Sequence, residues 1–103
     1  MLHYTLFCFY FIIKLVKNMT EDSLNRLIGK NIKKYRLIYN ATHKNKITQE
    51  NLAEIINVST SFISLLESNK SNKGVSISNL YKISIVLNTS IDKFFESIEL
   101  NDQ

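Results

Sequence analysis

The sequence predicts an all-α fold, a compact domain of five helices, because of its hydrophobic spacing and its capping residues. In five segments between Leu24 and Ile98, apolar residues recur at three- and four-residue intervals, the period of one helix face. A Ser or Thr, good residues for capping a helix N-terminus, precedes each segment. No strand-like alternation follows residue 18, and 103 residues suit one small domain.

The first predicted helix carries the longest apolar stripe. Thr20 or Ser23 can cap it, and two acidic residues, Glu21 and Asp22, suit the positive end of its dipole. The stripe consists of Leu24, Leu27, Ile28, Ile32, Tyr35 and Tyr39. The polar stretch YNATHKNK, residues 39–46, interrupts this pattern and is predicted to be a loop.

Four shorter helices are predicted after this loop. Their capping residues are Thr48, Ser59, either Ser76 or Ser78, and Ser90. Asn57 and Asn88, which tolerate the left-handed conformation, are expected to end the second and fourth helices. Leu52, Ala53 and Ile56 form one face of the second helix, Ile63 and Leu66 are the inward residues of the third, and Leu80, Ile83 and Leu87 form the stripe of the fourth. The apolar residues of the fifth helix are Ile91, Phe94, Phe95 and Ile98.

The first eighteen residues differ from the rest of the chain. Leu6 to Ile13 is an unbroken apolar run, shorter than the roughly 20 residues that a membrane span requires. Lys14 and Lys17 follow the run, whereas a secretory signal carries its positive charge before it. Three interpretations stay open: upstream sequence read through before a natural start at Met19, a membrane or partner anchor, or an aromatic-rich strand-like or interfacial part of the fold. We expect a separate extension over residues 1–18 and a domain over 19–103, with its core at about 24–98.

The charge is unevenly distributed along the chain. The net charge is +4, yet the stretch from Arg26 to Lys46 holds seven basic and no acidic residues. Such a cluster favours a polyanionic partner, and a solvated helix face explains it equally well. Cys8 is the single cysteine, the two histidines lie far apart, and no nucleophile–base pair or paired carboxylates appear. The sequence therefore predicts no metal, no cofactor and no enzymatic activity.

The segment from Gln49 to Ser68 has the spacing of a helix-turn-helix motif. Position five of this twenty-residue frame is Ala53, which is small enough for two helices to cross closely, and position nine, at the turn, is Asn57. The apolar positions four, eight, ten, fifteen and eighteen hold Leu52, Ile56, Val58, Ile63 and Leu66. An ordinary helical hairpin is the alternative, but it does not require all seven positions.

Three stretches, IGKNIKKYR, ITQENLAEIINVSTSFISLLESNK and SISNLYKISIVLNTSIDKFFE, resemble the phage-repressor and Cro-type (XRE-like) helix-turn-helix family. The resemblance covers roughly Leu24 to Ile98. It implies a five-helix lambda-repressor-like DNA-binding domain whose second motif helix enters the major groove. The family usually has Gly where this chain has Asn57 and Asn69, and both residues tolerate a positive φ.

Hydroxyl side chains at the start of the second motif helix are the candidate base readers. Thr60, Ser61 and Ser64 can bond to base edges or phosphates, and Leu65 can meet thymine methyl groups. Ser59 is another candidate, although capping is its favoured role. Phe62 either packs at the helix edge or presses on the backbone of the DNA. Because this helix lacks Arg, Asn and Gln, we expect modest direct readout and reliance on DNA shape or water.

The resemblance implies further residue roles. Gln49 matches the family glutamine that braces a phosphate and the recognition helix. Three residues after that helix, Asn69, Lys70 and Lys73, lie where the family holds the next phosphates. Arg36 and Glu67 match a structural ion pair that joins the first helix to the recognition helix.

The expected function is that of a cytoplasmic, nucleoid-associated transcriptional regulator, a sequence-specific repressor that binds double-stranded DNA. The apolar residues Phe94, Phe95, Ile98 and Leu100 predict a homodimer, because they exceed what one short terminal helix can bury. Two alternatives stay open. One is an antitoxin-like or adaptor module that holds a protein partner through the same residues, and the other is a regulator tethered to a membrane by residues 1–16.

Overall fold

The computed structural model describes the backbone of residues 2–97 and the side chains of residues 8–97. The α-helices are α1 (Leu2–Asn18), α2 (Glu21–Thr42), α3 (Gln49–Ile56), α4 (Thr60–Glu67) and α5 (Ile77–Val86), followed by a 3₁₀ helix, Ile91–Phe95. The described part contains no strand, which confirms the predicted all-α fold. The helices predicted after residue 18 correspond to α2–α5 and the 3₁₀ helix.

Helix α2 begins where the sequence predicted and ends later. Thr20 is its cap: the Thr20 hydroxyl accepts from the Ser23 amide at 3.0 Å, and the Thr20 amide donates to the Ser23 hydroxyl at 3.2 Å. The predicted start of the following loop, at Tyr39, is wrong by four residues, because α2 continues to Thr42. The Thr42 hydroxyl bonds to the Ile38 carbonyl at 3.1 Å, and the Tyr39 ring stacks on His43 at a centroid distance of 3.7 Å. Both contacts stabilise the last turn.

The stripe predicted on α2 is correct in its centre and wrong at its start. Ile28 and Ile32 are buried, and Tyr35 packs against the edge of the core. Leu24 is 36% exposed because the first turn of α2 extends beyond the core. The predicted stripe does not include Asn31 and Arg36, yet both of these polar residues are buried. Each makes hydrogen bonds to a distant part of the chain.

The caps of α3, α4 and α5 are serine and threonine side chains. The hydroxyls of Thr48, Ser59 and Ser76 accept from backbone amides three residues later, at 3.0, 3.0 and 3.1 Å. Of the two residues considered for α5, Ser76 is therefore the cap. Two helix ends are confirmed, because Asn57 and Asn88 have φ values of 61° and 52°. Asn69 does not share this left-handed conformation.

Phe94 lies at the centre of the core, in edge-to-face contact with Tyr35 at a ring-centroid distance of 6.0 Å. Its assignment to a dimer or partner surface is wrong, because the side chain is fully buried. Phe95 is 43% exposed, while Ile98 and Leu100 lie outside the described residues. The predicted last helix is a 3₁₀ helix that ends at Phe95, earlier than the pattern indicated.

The 3₁₀ helix is fastened to α2 by polar contacts. The side-chain Nδ2 of Asn31 donates to the backbone carbonyl oxygens of Phe94 at 2.8 Å and Glu96 at 2.9 Å. The Tyr35 hydroxyl donates to the Glu96 carboxylate, and this bond, with burial, raises the pKa of Tyr35 to about 12. The core is thus closed at this end by a buried aromatic ring and the hydrogen bonds around it.

Residues 2–18 form helix α1 rather than a strand-like segment. From Phe9 to Val16 the apolar side chains of α1 are all more than one-third exposed. No helix in the described part of the chain is both long enough and apolar enough to cross a membrane.

Candidate nucleic-acid interface

The three residues that join α3 to α4 form a tight turn. Asn57 is left-handed, with φ 61° and ψ 52°, and its amide donates to the Glu54 carbonyl at 3.2 Å. The Val58 amide donates to the Ala53 carbonyl at 2.9 Å, which satisfies a carbonyl at the end of α3. Ala53 is buried, as expected for the position where two helices cross. This geometry sets the direction in which α4 leaves the turn.

Helix α4 has one face in the core and one face in solvent. Ile63, Leu66 and Glu67 are buried. The exposed residues Thr60, Ser61, Ser64 and Leu65 line a shallow concave surface together with Gln49 of α3. The structure therefore brings five of the predicted contact residues together on one surface.

Ser59 and Phe62, for which the sequence left two roles open, have distinct structural roles at the start of α4. The Ser59 hydroxyl accepts from the Phe62 amide, so its oxygen caps the helix while its hydrogen remains able to donate. The Phe62 ring is half-buried against the core, and the Lys73 ammonium lies 5.7 Å from the ring centroid. Phe62 thus supports the helix edge and the loop that follows.

Glu67 holds α4 to α2 through a buried ion pair with Arg36. The two carboxylate oxygens accept from Arg36 Nε and Nη2, each at 2.8 Å. A third bond runs from Arg36 Nη1 to the Ile47 carbonyl at 3.2 Å. Such fork-shaped pairing fixes orientation as well as distance. Because Arg36 is buried here, it does not belong to the exposed part of the basic cluster.

Gln49 connects this ion pair to the exposed surface. Its side-chain Nε2 donates to Glu67 Oε1 at 2.9 Å, from the first position of α3. The Glu67 carboxylate therefore contacts side chains of both α2 and α3. Gln49 also lines the concave surface together with Thr60 and Ser61.

Gly29 allows α2 and α4 to approach closely, a feature that the sequence reasoning missed. A Cβ atom at residue 29 would lie 1.9 Å from the Leu66 carbonyl oxygen, a backbone atom. Only glycine fits there without movement of one helix. A glycine inside a strong helical pattern was the available signal, because it costs helix stability and is kept for close packing.

The loop between α4 and α5 presents two lysines to solvent. Asn69, Lys70 and Lys73 are all exposed. The Lys70 and Lys73 amides donate to the hydroxyls of Ser68 at 3.2 Å and Ser71 at 3.1 Å. These local bonds occupy the two amides, so the ammonium groups are the donors that remain for a phosphate.

Asn40 positions the segment before α3, and this role was also missed. Its Oδ1 accepts from the Ile47 amide at 2.7 Å, while its Nδ2 donates to the Ile47 carbonyl at 3.0 Å. The buried Ile47 side chain is thereby held in the core just ahead of the α3 cap. Little in the sequence indicates this role, because an Asn in a polar stretch is typical of a loop.

A short helix that follows a left-handed turn, with a buried inner face and a polar outer face, is the helix-turn-helix arrangement that DNA-binding proteins use. The comparison with family models agrees: the helix-turn-helix model matches residues 32–94, more than half of the chain. The protein belongs to this family, the Cro/C1-type or XRE family of transcription regulators. No curated protein matches the sequence.

Proposed function

We propose that this protein is a sequence-specific repressor that inserts α4 into the major groove of double-stranded DNA. The observation that carries the proposal is the contrast between the two faces of α4. Its inner face is fixed by Ile63, Leu66 and the Glu67 ion pair, while Thr60, Ser61 and Ser64 remain in solvent. A rigid support beneath exposed hydrogen-bonding groups is what groove recognition requires.

The chemistry of the outer face indicates how sequence would be read. Hydroxyls donate or accept at base edges, while the Thr60 methyl and Leu65 provide apolar contacts for thymine methyl groups. No Arg, Asn or Gln lies on α4 to make a two-pronged bond to guanine or adenine. Direct readout is therefore modest, and DNA shape and bridging water supply the rest of the specificity.

The groups flanking α4 supply the phosphate contacts in this proposal. Gln49 and the first turn of α3 lie at one side of the concave surface, where a helix N-terminus favours an anion. Asn69, Lys70 and Lys73 follow the other end of α4. Contacts of this kind fix the protein on the duplex without reading sequence.

The proposed DNA-binding unit spans residues 19–103, with its core at about 24–98, and acts as a homodimer on cytoplasmic, nucleoid DNA. Repression follows in this proposal because a compact domain seated on a promoter blocks access to it. The supporting feature is that the turn, the recognition helix and its anchors on α2 all lie within this range.

Two measurements test the proposal. Selection of bound sequences from random DNA should return a defined motif, and gel shifts with that motif should weaken as salt rises. With about three to five phosphates contacted per subunit, log affinity should fall against log salt with a slope near −0.9 per contact. Binding that is independent of salt, or a selection that returns no motif, would contradict the proposal.

The adaptor alternative loses part of its support in the structure. It depended on an apolar C-terminal surface, and Phe94 from that set is fully buried. A protein that binds no DNA at any salt concentration, yet is captured by one defined partner protein, would favour it. The membrane-tethered alternative depends on the exposed apolar side chains of α1, and recovery of the natural protein in the membrane fraction would favour that interpretation.

A further inference from the structure

Helix α1 carries a broad apolar surface that the core of the domain does not cover. None of its described side chains belongs to the core. Ile12, Leu15 and Val16 are spaced by three and four residues and form one stripe along the helix, the α1 stripe, and they are 56%, 49% and 57% exposed. Phe9 and Phe11 flank this stripe on either side and are exposed as well.

The face of α1 opposite the stripe is basic. Tyr10, Lys14 and Lys17 are spaced by four and three residues and share that face, and all three are exposed. The chain has no acidic residue before Glu21. A wide apolar arc with lysines on the remaining side is the pattern of helices that lie in the plane of a lipid surface. The lysine stems follow the apolar boundary while the ammonium groups reach the headgroups.

A second group of cations follows on α2. Arg26, Lys30 and Lys33, the α2 basic face, are again spaced by four and three residues, and all are exposed. In the described part of the chain, none of these three lies within salt-bridge distance of a carboxylate. Leu37 continues the same face and is 50% exposed. The charges of the α2 basic face are therefore available to an anionic partner.

We propose that α1 and the α2 basic face bind an anionic lipid surface. The α1 stripe lies at the boundary of the acyl chains, and the cations of both helices contact the phosphates of the headgroups. One apolar element alone attaches a protein weakly and reversibly, and a basic patch beside it supplies the second signal that stable attachment requires. Each basic residue close to an anionic leaflet strengthens binding by about fivefold.

The breadth of the apolar surface favours lipid over the other possible occupants. Two packed helices cover a narrow apolar seam, whereas Phe9 and Phe11 extend the apolar surface of α1 well beyond its stripe. A nucleic-acid duplex would satisfy the α2 basic face but would leave these phenyl rings in water. An anionic bilayer surface accommodates both the rings and the cations.

Attachment through α1 has a consequence for DNA, and this consequence rests on the proposed function. The concave surface consists of residues from α3 and α4, so it shares no residue with α1 or with the α2 basic face. The recognition helix therefore stays free when α1 is on a lipid surface. The protein then holds a bound duplex beside the bilayer.

Sedimentation of the full chain with lipid vesicles tests the attachment. The parent should pellet with vesicles of phosphatidylcholine and phosphatidylglycerol, and should bind vesicles of phosphatidylcholine alone about tenfold or more weakly. Ile12→Glu should lose binding to both kinds of vesicle without a change in melting temperature, since α1 lies outside the core. Ile55→Glu on α3 is the matched control and should bind as the parent does, because the two side chains are 56% and 57% exposed and both substitutions change the net charge equally.

Three results of this experiment overturn the proposal. One is a parent that stays in solution with both kinds of vesicle, and another is an Ile12→Glu variant that pellets as the parent does. The third is an oligomer that forms without vesicles and that Ile12→Glu dissociates, because it would assign the α1 stripe to a second copy of the chain.

Paired lysine variants test the α2 basic face. Lys30→Ala combined with Lys33→Ala should weaken binding to the anionic vesicles by about tenfold or more. Lys44→Ala combined with Lys46→Ala removes the same charge from the loop after α2 and should bind nearly as the parent does. Equal losses in the two variants would mean that net charge alone matters, which overturns the assignment to this face. Retained vesicle binding with lost DNA affinity in the first variant would assign the face to DNA.

A fluorescence measurement keeps the test decisive if a glutamate variant fails to fold. The chain contains no tryptophan, so Phe9→Trp introduces a single reporter on α1. Its emission should shift to the blue when anionic vesicles are added, because the ring leaves water, whereas Tyr81→Trp on α5 is the control and should not shift. An unshifted emission from Phe9→Trp overturns the proposal. Vesicle binding by a protein that binds no DNA would refute the proposed function and leave the attachment intact.

Discussion

Helices α4 and α5 are built alike and differ on one side. Both are short, both start after a capping serine, and both place Ile and Leu in the same core. Their outer faces diverge: α4 presents Thr60, Ser61 and Ser64, whereas α5 presents Ile77 and Ile85. The inner faces are alike because both pack apolar side chains into the same core. The outer faces therefore differ in the contacts that they can make, which are hydrogen bonds for α4 and apolar packing for α5.

The two helices also differ in how they are anchored. The last residue of α4, Glu67, is bonded to Arg36 and Gln49, and the chain at Leu66 lies directly against Gly29. A helix that reads base edges has to hold its position within a fraction of an ångström. The outer face of α5 presents apolar side chains such as Ile77 and Ile85, which have no hydrogen-bonding geometry to preserve.

The largest expected effect is the loss of the α4 anchor. Glu67→Ala leaves the buried Arg36 guanidinium without its counterion, which costs about 3–5 kcal/mol of the free energy of unfolding. Urea unfolding followed by circular dichroism measures the loss. Glu54→Ala, at an exposed acid of α3, is the control and should change little. An unchanged unfolding curve together with lost DNA binding would assign Glu67 to the interface instead.

A matched pair of isoleucines compares the inner face of α4 with the outer face of α5. Ile63→Ala opens a cavity in the core and should cost about 2–5 kcal/mol of unfolding free energy. Ile85→Ala removes the same atoms from a mostly exposed position and should change the stability of the monomer by no more than about 0.5 kcal/mol. Dilute urea titrations measure both, and similar losses would show that α5 packs against more of its own chain than described.

A pair of glycines tests the close approach of α2 and α4. Gly29→Ala should cost about 1–3 kcal/mol, because its Cβ meets the backbone oxygen of Leu66 and helix propensity offsets only part of the clash. The Cβ of Gly74→Ala would meet the Asn25 side chain at 3.3 Å, and that side chain can move. Thermal melts of both variants measure the difference. Equal melting temperatures would mean that the two helices separate without cost.

The smallest effects on stability belong to the outer face of α4. Thr60→Ala, Ser61→Ala and Ser64→Ala should each leave the unfolding free energy within about 0.5 kcal/mol of the parent. A side chain that reads a base should cost about 1–3 kcal/mol of binding to the selected DNA site and relax preference at one base pair. Ser78→Ala on α5 is the control and should bind as the parent does.

Titrations on the selected site and on a scrambled site separate readers from phosphate contacts. Lys70→Ala should weaken both sites alike, because a phosphate contact carries no sequence information. If all three hydroxyl variants bind both sites as the parent does, α4 is not the reader. The proposed function would then have to be abandoned in favour of a protein-binding role.

Much of the fold was predictable because it depends on local patterns. The caps at Thr48 and Ser59, the spacing of Leu52 and Ile63, and the left-handed Asn57 all depend on residues within one or two helical turns. Periodicity and capping report such relations directly. The exposed hydroxyls of α4 were predictable for the same reason, since a helix with a defined inner face has a defined outer one.

Other features depend on contacts between distant parts of the chain. The Asn31 bonds to Phe94 and Glu96 span more than 60 residues, and nothing near Asn31 indicates them. Phe94 was assigned to an apolar surface because hydrophobic periodicity predicts which side chains share one face of a helix. It does not predict which other element packs against that face. The end of α2 was misjudged because Thr42 and His43 make side-chain bonds that propensity does not include.

Short capped helices and a helix-turn-helix at residues 49–68 follow from the amino-acid sequence, because these features depend on neighbours along the chain. Three other features follow from the packing of the helices: only glycine fits at residue 29, Gln49 joins the Arg36–Glu67 pair, and α5 exposes a second apolar face. Each of these depends on which helix lies opposite. A pattern of residues fixes the shape of a helix, and only packing fixes its neighbours and the surface left over for partners.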